Sequence, residues 1–133
     1  MFQGRRACTA AGARTNGHGS SIHEGHAVVS DVAIIDSGGA NIASLLNTFE
    51  RLKTKAVLTT DVDVIKNARR VLLPGVGAAK DAMARLIDAK LVDVIRDLKQ
   101  PVLGICLGMQ LLCDASEEED VECLGVIPGT VKK

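Results

Sequence analysis

Val102-Leu103-Gly104-Ile105-Cys106-Leu107-Gly108-Met109-Gln110-Leu111-Leu112 passes directly from a short apolar run into a helical stripe. Val102 to Ile105 read as a strand. Leu107, Leu111 and Leu112 then recur at helical spacing. At the junction stands Gly104-x-Cys106-x-Gly108, the thiol form of a nucleophile elbow. The spacing has a steric reason: a sharp strand-to-helix turn needs neighbours without side chains, or the two elements collide. Such a turn lifts Cys106 to the rim of a sheet and sets its sulfur at a helix N-terminus, where the dipole favours the thiolate. It also leaves the Leu107 N–H free to face an oxyanion. A buried structural cysteine between two packing glycines is the other reading of these residues.

Outward from this turn the chain alternates strand and helix. Val32-Ala33-Ile34-Ile35 reads as a strand, and Ile42, Leu45, Leu46, Phe49 and Leu52 as one helical stripe with Asn41 as its N-cap. Ala56-Val57-Leu58 is a second strand. Asp61 caps a short helix carrying Val62, Ile65 and Ala68. Val71-Leu72-Leu73 is a third strand, stopped by Pro74, which has no N–H for a ladder. Met83, Leu86 and Ile87 lie on one side of a further helix, and Leu91, Val94, Ile95 and Leu98 mark another, ended by Pro101. Beyond the elbow, Cys113 falls seven residues after Cys106 on nearly the same helical face and reads as core. Glu117 to Asp120 form an acidic loop, and Gly125-Val126-Ile127 and Thr130-Val131 make one or two more short strands. The alternation predicts an α/β layered fold with right-handed crossovers. With 2 Phe and neither Trp nor Tyr, its core is aliphatic.

Ligands in such folds sit beyond the carboxyl ends of the strands. Three glycine-rich loops emerge there: Asp36 to Asn41, Pro74 to Lys80, and the elbow. Gly75-Val76-Gly77-Ala78-Ala79-Lys80 fits the first two glycines of a dinucleotide fingerprint but has Lys80 where Gly or Ala is needed, and no Gly-Lys-Ser/Thr follows. A freely orienting peptide beside the elbow suits a second oxyanion donor instead.

Sixteen basic and 16 acidic residues balance, with a pI near 6.8, which argues against a nucleic-acid or anionic-membrane surface. No run approaches a membrane span, and no secretory pattern opens the chain. The 4 cysteines are therefore expected to be reduced thiols of a cytoplasmic protein. Residues 1–30 lack periodicity and read as a disordered head, and 31–133 as the folded domain. His18, His23 and His26 lie in the head without cysteine partners at zinc spacing, as does Cys8, while Cys123 falls in a loop. No metal site is expected.

Gly104-Ile105-Cys106-Leu107-Gly108-Met109-Gln110 resembles the nucleophile segment of class I (triad-type) glutamine amidotransferases. Met109, Pro74-Gly75-Val76-Gly77, Asp36-x-Gly38 with Asn41, and Ser116-Glu117-Glu118 are similar to the branch of glutaminase subunits of imidazole glycerol phosphate synthases, in histidine biosynthesis. The resemblance runs from about Val32 to Val131. It implies a flavodoxin-like three-layer parallel sheet, and a Cys106 thiolate that attacks the side-chain amide of glutamine to form a glutamyl thioester. It further implies an oxyanion hole from the N–H groups of Val76 and Leu107. Gly75, Gly77, Gln110 and Glu118 would bind substrate, with no cofactor. Ammonia would pass to a cyclase subunit of the (β/α)₈-barrel type, which the loop at Asn41 would face. From the residues alone, Asn41 is equally a helix cap, Gln110 a solvent-facing or capping residue, and Glu118 part of a solvated acidic run.

The family's catalytic base sits in a His-x-Glu segment well beyond the elbow, in a domain of about 200 residues. Here no histidine follows His26. The matching part is thus expected to be C-terminally incomplete and inactive alone, with a sheet edge uncovered. A non-catalytic module that docks the cyclase is the alternative.

Overall fold

The computed structural model describes residues 29–132. Its elements follow the order β1 (Val32–Ile35), α1 (Ile42–Arg51), β2 (Ala56–Thr59), α2 (Val62–Asn67), β3 (Arg70–Gly75), α3 (Ala79–Asp88), α4 (Val92–Arg96), β4 (Val102–Cys106), α5 (Leu107–Leu111), β5 (Cys113–Ser116), β6 (Val121–Glu122) and β7 (Ile127–Val131). The expected head, with its three histidines and Cys8, lies outside the described residues apart from 29 and 30.

β1 to β4 form a parallel four-stranded sheet in the order β2-β1-β3-β4. This is the flavodoxin-like order, whose direction of winding switches between β1 and β3. The run Val32–Ile35 is buried throughout, as expected for a strand covered on both faces. On one face Ala33, Ile35, Val71 and Leu73 pack against Ile65, Leu86, Leu91 and Ile95. On the other, Val32, Ile34 and Leu72 meet Ile42, Leu45 and Phe49 of α1. The cap assignments agree with the sequence: Asn41 Oδ1 accepts from Ser44 N–H at 3.2 Å, and Asp61 Oδ1 from Asp63 N–H at 2.8 Å.

Pro74 does not stop β3. The strand continues with Pro74 opposite Ile105 and Gly75 opposite Cys106. Pairing with β1 has already ended at Ile34↔Leu72. The Pro74 carbonyl points to the β1 side, where Ser37 Oγ donates to it. In an extended strand the nitrogen of the same residue faces that way too, so the missing N–H costs no ladder bond.

The helix after the elbow ends earlier than its leucines suggested, because the returning chain captures its carbonyls. Leu124 N–H bonds to Leu111 O, and both Val126 and Ile127 N–H to Leu112 O, each at 2.8 Å. Cys113 therefore starts a strand and is half-buried, not part of a helical core. β5 is central in a second, three-stranded sheet ordered β6-β5-β7, antiparallel to β6 and parallel to β7. The sequence offered no sign of β5 or β6, and of the one or two last strands it left open the structure shows one, β7. Ile87 is 59 % exposed, and the buried stripe of α3 is Ala79, Ala82, Met83 and Leu86.

β4 lies at a sheet edge. Leu103 and Ile105, in register with Leu72 and Pro74 on the α1 face, are 60 % and 39 % exposed. No described helix is long and apolar enough to cross a membrane.

Candidate active site

Cys106 sits at φ 57°, ψ −122°, a conformation an L-residue adopts only when its surroundings enforce it. The enforcement comes from the flanking glycines. A Cβ on Gly108 would lie 1.7 Å from the Leu73 carbonyl oxygen, and one on Gly104 would lie 2.6 Å from Met109 Cα. The start of α5 is pressed onto β3 and β4 at distances no side chain permits, and the chain must turn abruptly at Cys106. The thiol is exposed and precedes the first residue of α5. Leu107 is buried; as the first helical residue, its N–H has no intrahelical carbonyl to meet.

A cavity of about 250 Å³ opens beside the thiol, lined mainly by apolar atoms and bounded by Asn41, Leu45, Pro74, Val76, Ile105 and Cys106. Gly75 also contributes to its wall. The loop after β1 lies over this region. A Cβ on Gly39 would come within 3.1 Å of both Val76 Cγ2 and Val76 O. Gly38, at φ 82°, is covered by the Arg85 side chain and donates its N–H to Asp36 Oδ1 at 3.1 Å. Gly77, at φ 90°, has nothing among the described residues within 4 Å of where a Cβ would stand, so they leave the 76–77 peptide sterically unconfined on that side.

Of the residues singled out in the sequence, Asn41, Gly75, Val76 and Cys106 thus share one cavity. Leu107, Gly77, Gln110 and Glu118 do not line it. Gln110 follows Cys106 by four positions, one turn along α5. It is half-buried, and its Oε1 is buried without a hydrogen-bond partner among the described residues, so it does not face solvent. Glu118 is exposed, with its N–H on Ser116 Oγ at 3.4 Å.

Two features escaped the sequence reading. Ser37 is buried, 3 % exposed, and ties the β1 loop to Pro74; a lone serine among glycines carries no periodic signal. Glu119 Oε2 accepts from Lys80 N–H at 3.1 Å across 39 residues of chain, and only the tertiary fold reveals that pairing. Away from the cavity, burial pushes the Cys123 thiol up from its ordinary value of 9.0, and the charge of nearby Cys113 acts in the same direction.

Comparison with known proteins agrees with this geometry. Residues 33–131 match the family described as "Glutamine amidotransferase class-I". The imidazole glycerol phosphate synthase subunit HisH of Xanthomonas axonopodis pv. citri (strain 306) is 54 % identical over 104 residues, covering 78 % of this chain and 52 % of that protein. Subunit HisH 2 of Legionella pneumophila (strain Paris) is 50 % identical over 101 residues, covering 76 % and 51 %. The chain spans about half the length of these curated relatives. A solved structure titled "Crystal structure of glutamine amidotransferase" superimposes with a TM-score of 0.66 at 17 % identity, over 77 % of this chain and 56 % of that one. At that identity the likeness concerns the fold.

Proposed function

The chain belongs to the class I glutamine amidotransferase family, and on that premise we propose that it carries the nucleophile region of a glutaminase serving imidazole glycerol phosphate synthase. One observation carries the reading: Cys106 is held at φ 57° at the start of α5 and opens onto a cavity. A thiolate there attacks the side-chain amide carbon of glutamine and gives a tetrahedral oxyanion. Collapse of that intermediate breaks the C–N bond, releases ammonia and leaves a glutamyl thioester, which water hydrolyses.

The N–H groups of Val76 and Leu107 are the proposed oxyanion donors. They emerge from the paired ends of β3 and β4, with the Gly75 and Gly77 backbones flanking Val76. Losing one such donor costs ~10²–10³ in rate. Gln110 and Glu118 are proposed to hold the amino-acid end of the substrate. An ammonium group donating to Gln110 Oε1 would relieve a buried acceptor that has no partner among the described residues. Asn41, besides capping α1, is proposed to face a (β/α)₈-barrel cyclase that receives the ammonia.

No histidine follows His26 in the chain, so the leaving amine has no imidazole acid within residues 29–133. Hydrolysis by residues 29–133 alone is therefore expected to be negligible, since general acid–base help contributes ~10²–10⁴. The nucleophile itself is testable without that step. A chloroketone analogue of glutamine should alkylate Cys106 with saturation, in competition with glutamine, and leave Cys113 and Cys123 unmodified. Labelling that neither saturates nor responds to glutamine would refute the reading.

A further inference from the structure

Helix α3 begins directly after Gly75–Ala78, the segment that carries Val76. Its N-cap residue, Ala78, has the extended backbone of a cap (φ −85°, ψ 132°) but no side chain able to accept a hydrogen bond. Lys80 is the second helical residue, and its N–H is one that a Ser, Asp or Asn at the cap ordinarily satisfies. Here Glu119 supplies the acceptor from the acidic loop, with Oε2 at 3.1 Å. A carboxylate in that place also meets the positive end of the helix dipole.

The same loop is tied on its other side. Glu117 N–H donates to Val131 O at 3.0 Å, and Glu118 N–H to the hydroxyl of buried Ser116 at 3.4 Å. Glu118 therefore stands between two anchored neighbours, one fixed to β7 and the other to the start of α3. Through the Glu119–Lys80 bond the first turn of α3, which follows the segment bearing Val76, is joined to the loop bearing Glu118.

We infer that Glu119 is a positioning residue that holds the loop bearing Glu118 to the first turn of α3, next to the Gly75–Ala78 segment, and so governs affinity for the amino-acid end of glutamine. The inference rests on the glutaminase reading above. A simple helix cap would be served equally well by a local side chain at position 78. The remote carboxylate does something a local one does not: it ties the acidic loop to the first turn of α3.

Saturation labelling of the full chain separates these roles. The probe is the chloroketone analogue of glutamine; the Cys106 sulfur forms a bond to the probe's methylene carbon, the C–Cl bond breaks, and chloride leaves. Iodoacetamide serves as an undirected control, and intact mass reads both. Glu119→Ala should raise the half-saturating concentration roughly five-fold, the equivalent of losing one cap-strength hydrogen bond, with the maximal rate and the iodoacetamide rate unchanged. Glu119→Gln, which keeps an acceptor, should stay within about two-fold of the parent chain. Adding Ala78→Asp to Glu119→Ala supplies a local cap; it should restore the melting temperature and leave the half-saturating concentration high. Recovery of both by Ala78→Asp would reduce Glu119 to a helix cap and overturn the inference, as would an unchanged Glu119→Ala. If the parent chain itself fails to saturate, the glutaminase reading falls and the role of Glu119 falls with it.

Discussion

The hydroxyl of Ser37 donates to the carbonyl of Pro74 at 2.5 Å, across the line where β1 and β3 end side by side. This is the point at which the winding of the sheet reverses and a crevice opens naturally. The bond holds the loop leading to Asn41 against the strand leading to Val76. Ser37→Ala would leave the Pro74 carbonyl buried without that donor, at a cost of about 1–3 kcal/mol. Urea denaturation should show the loss as a lower midpoint with an unchanged slope.

Gly108 and Gly77 are glycines for different reasons, and alanine at each should show it. At Gly108 a Cβ would sit 1.7 Å from Leu73 O, so α5 must lift off the sheet. Gly108→Ala should cost more than about 3 kcal/mol, the upper range of overpacking, and abolish cooperative unfolding by circular dichroism. At Gly77 there is space, but φ is 90°. Gly77→Ala should cost on the order of 1 kcal/mol from backbone strain alone and leave the chain folded.

Cys106 adopts φ 57°, ψ −122° against the preference of any side-chain-bearing residue. Cys106→Gly removes the Cβ responsible, while Cys106→Ala keeps it. The glycine variant should be the more stable of the two by on the order of 1 kcal/mol, strain relief exceeding the added freedom of the unfolded chain. Calorimetry on the pair would decide. Equal stabilities would mean that the strain at this residue only matches the added freedom of the unfolded glycine chain.

Cys123 is buried in the folded chain, and its thiol is harder to ionise there than in the unfolded one. Below pH 9 it is protonated in both states, and its contribution to stability is whole. As pH rises past 9 the unfolded chain releases the proton first, which favours unfolding. Stability should be level well below pH 9 and fall as pH rises through and past 9, and the Cys123-dependent part of that slope should vanish in Cys123→Ala. Urea midpoints measured on both chains across that range would show it.

Much of the fold was legible because it rests on local chemistry. The continuous apolar run at Val32–Ile35 is buried throughout, as a doubly covered strand must be. Val102–Ile105 is a strand as its apolar residues suggest, although at the sheet edge it is left largely uncovered. Asn41 and Asp61 cap helices through bonds to residues two or three positions away. The elbow is equally local, since the glycines on either side of Cys106 declare a close approach before the partner is known. The partners themselves were not visible. Nothing near Leu112 indicates that Val126 and Ile127 will take its carbonyl, end α5 and turn Cys113 into a strand.

Pro74 makes the same point in reverse. A proline reads as a strand end because its ring removes a donor, yet here the neighbour that would have used that donor has already left the ladder, and β3 runs on to Gly75. Glu119 read as one more charge in a solvated loop until the fold set it on Lys80. Strand, helix and turn followed from hydropathy and backbone sterics over a few residues. Where each element stops, and which loops stand together at the candidate site, depended on hydrogen-bond partners tens of residues away, whose proximity is created by packing the sheet and written in no single stretch of chain.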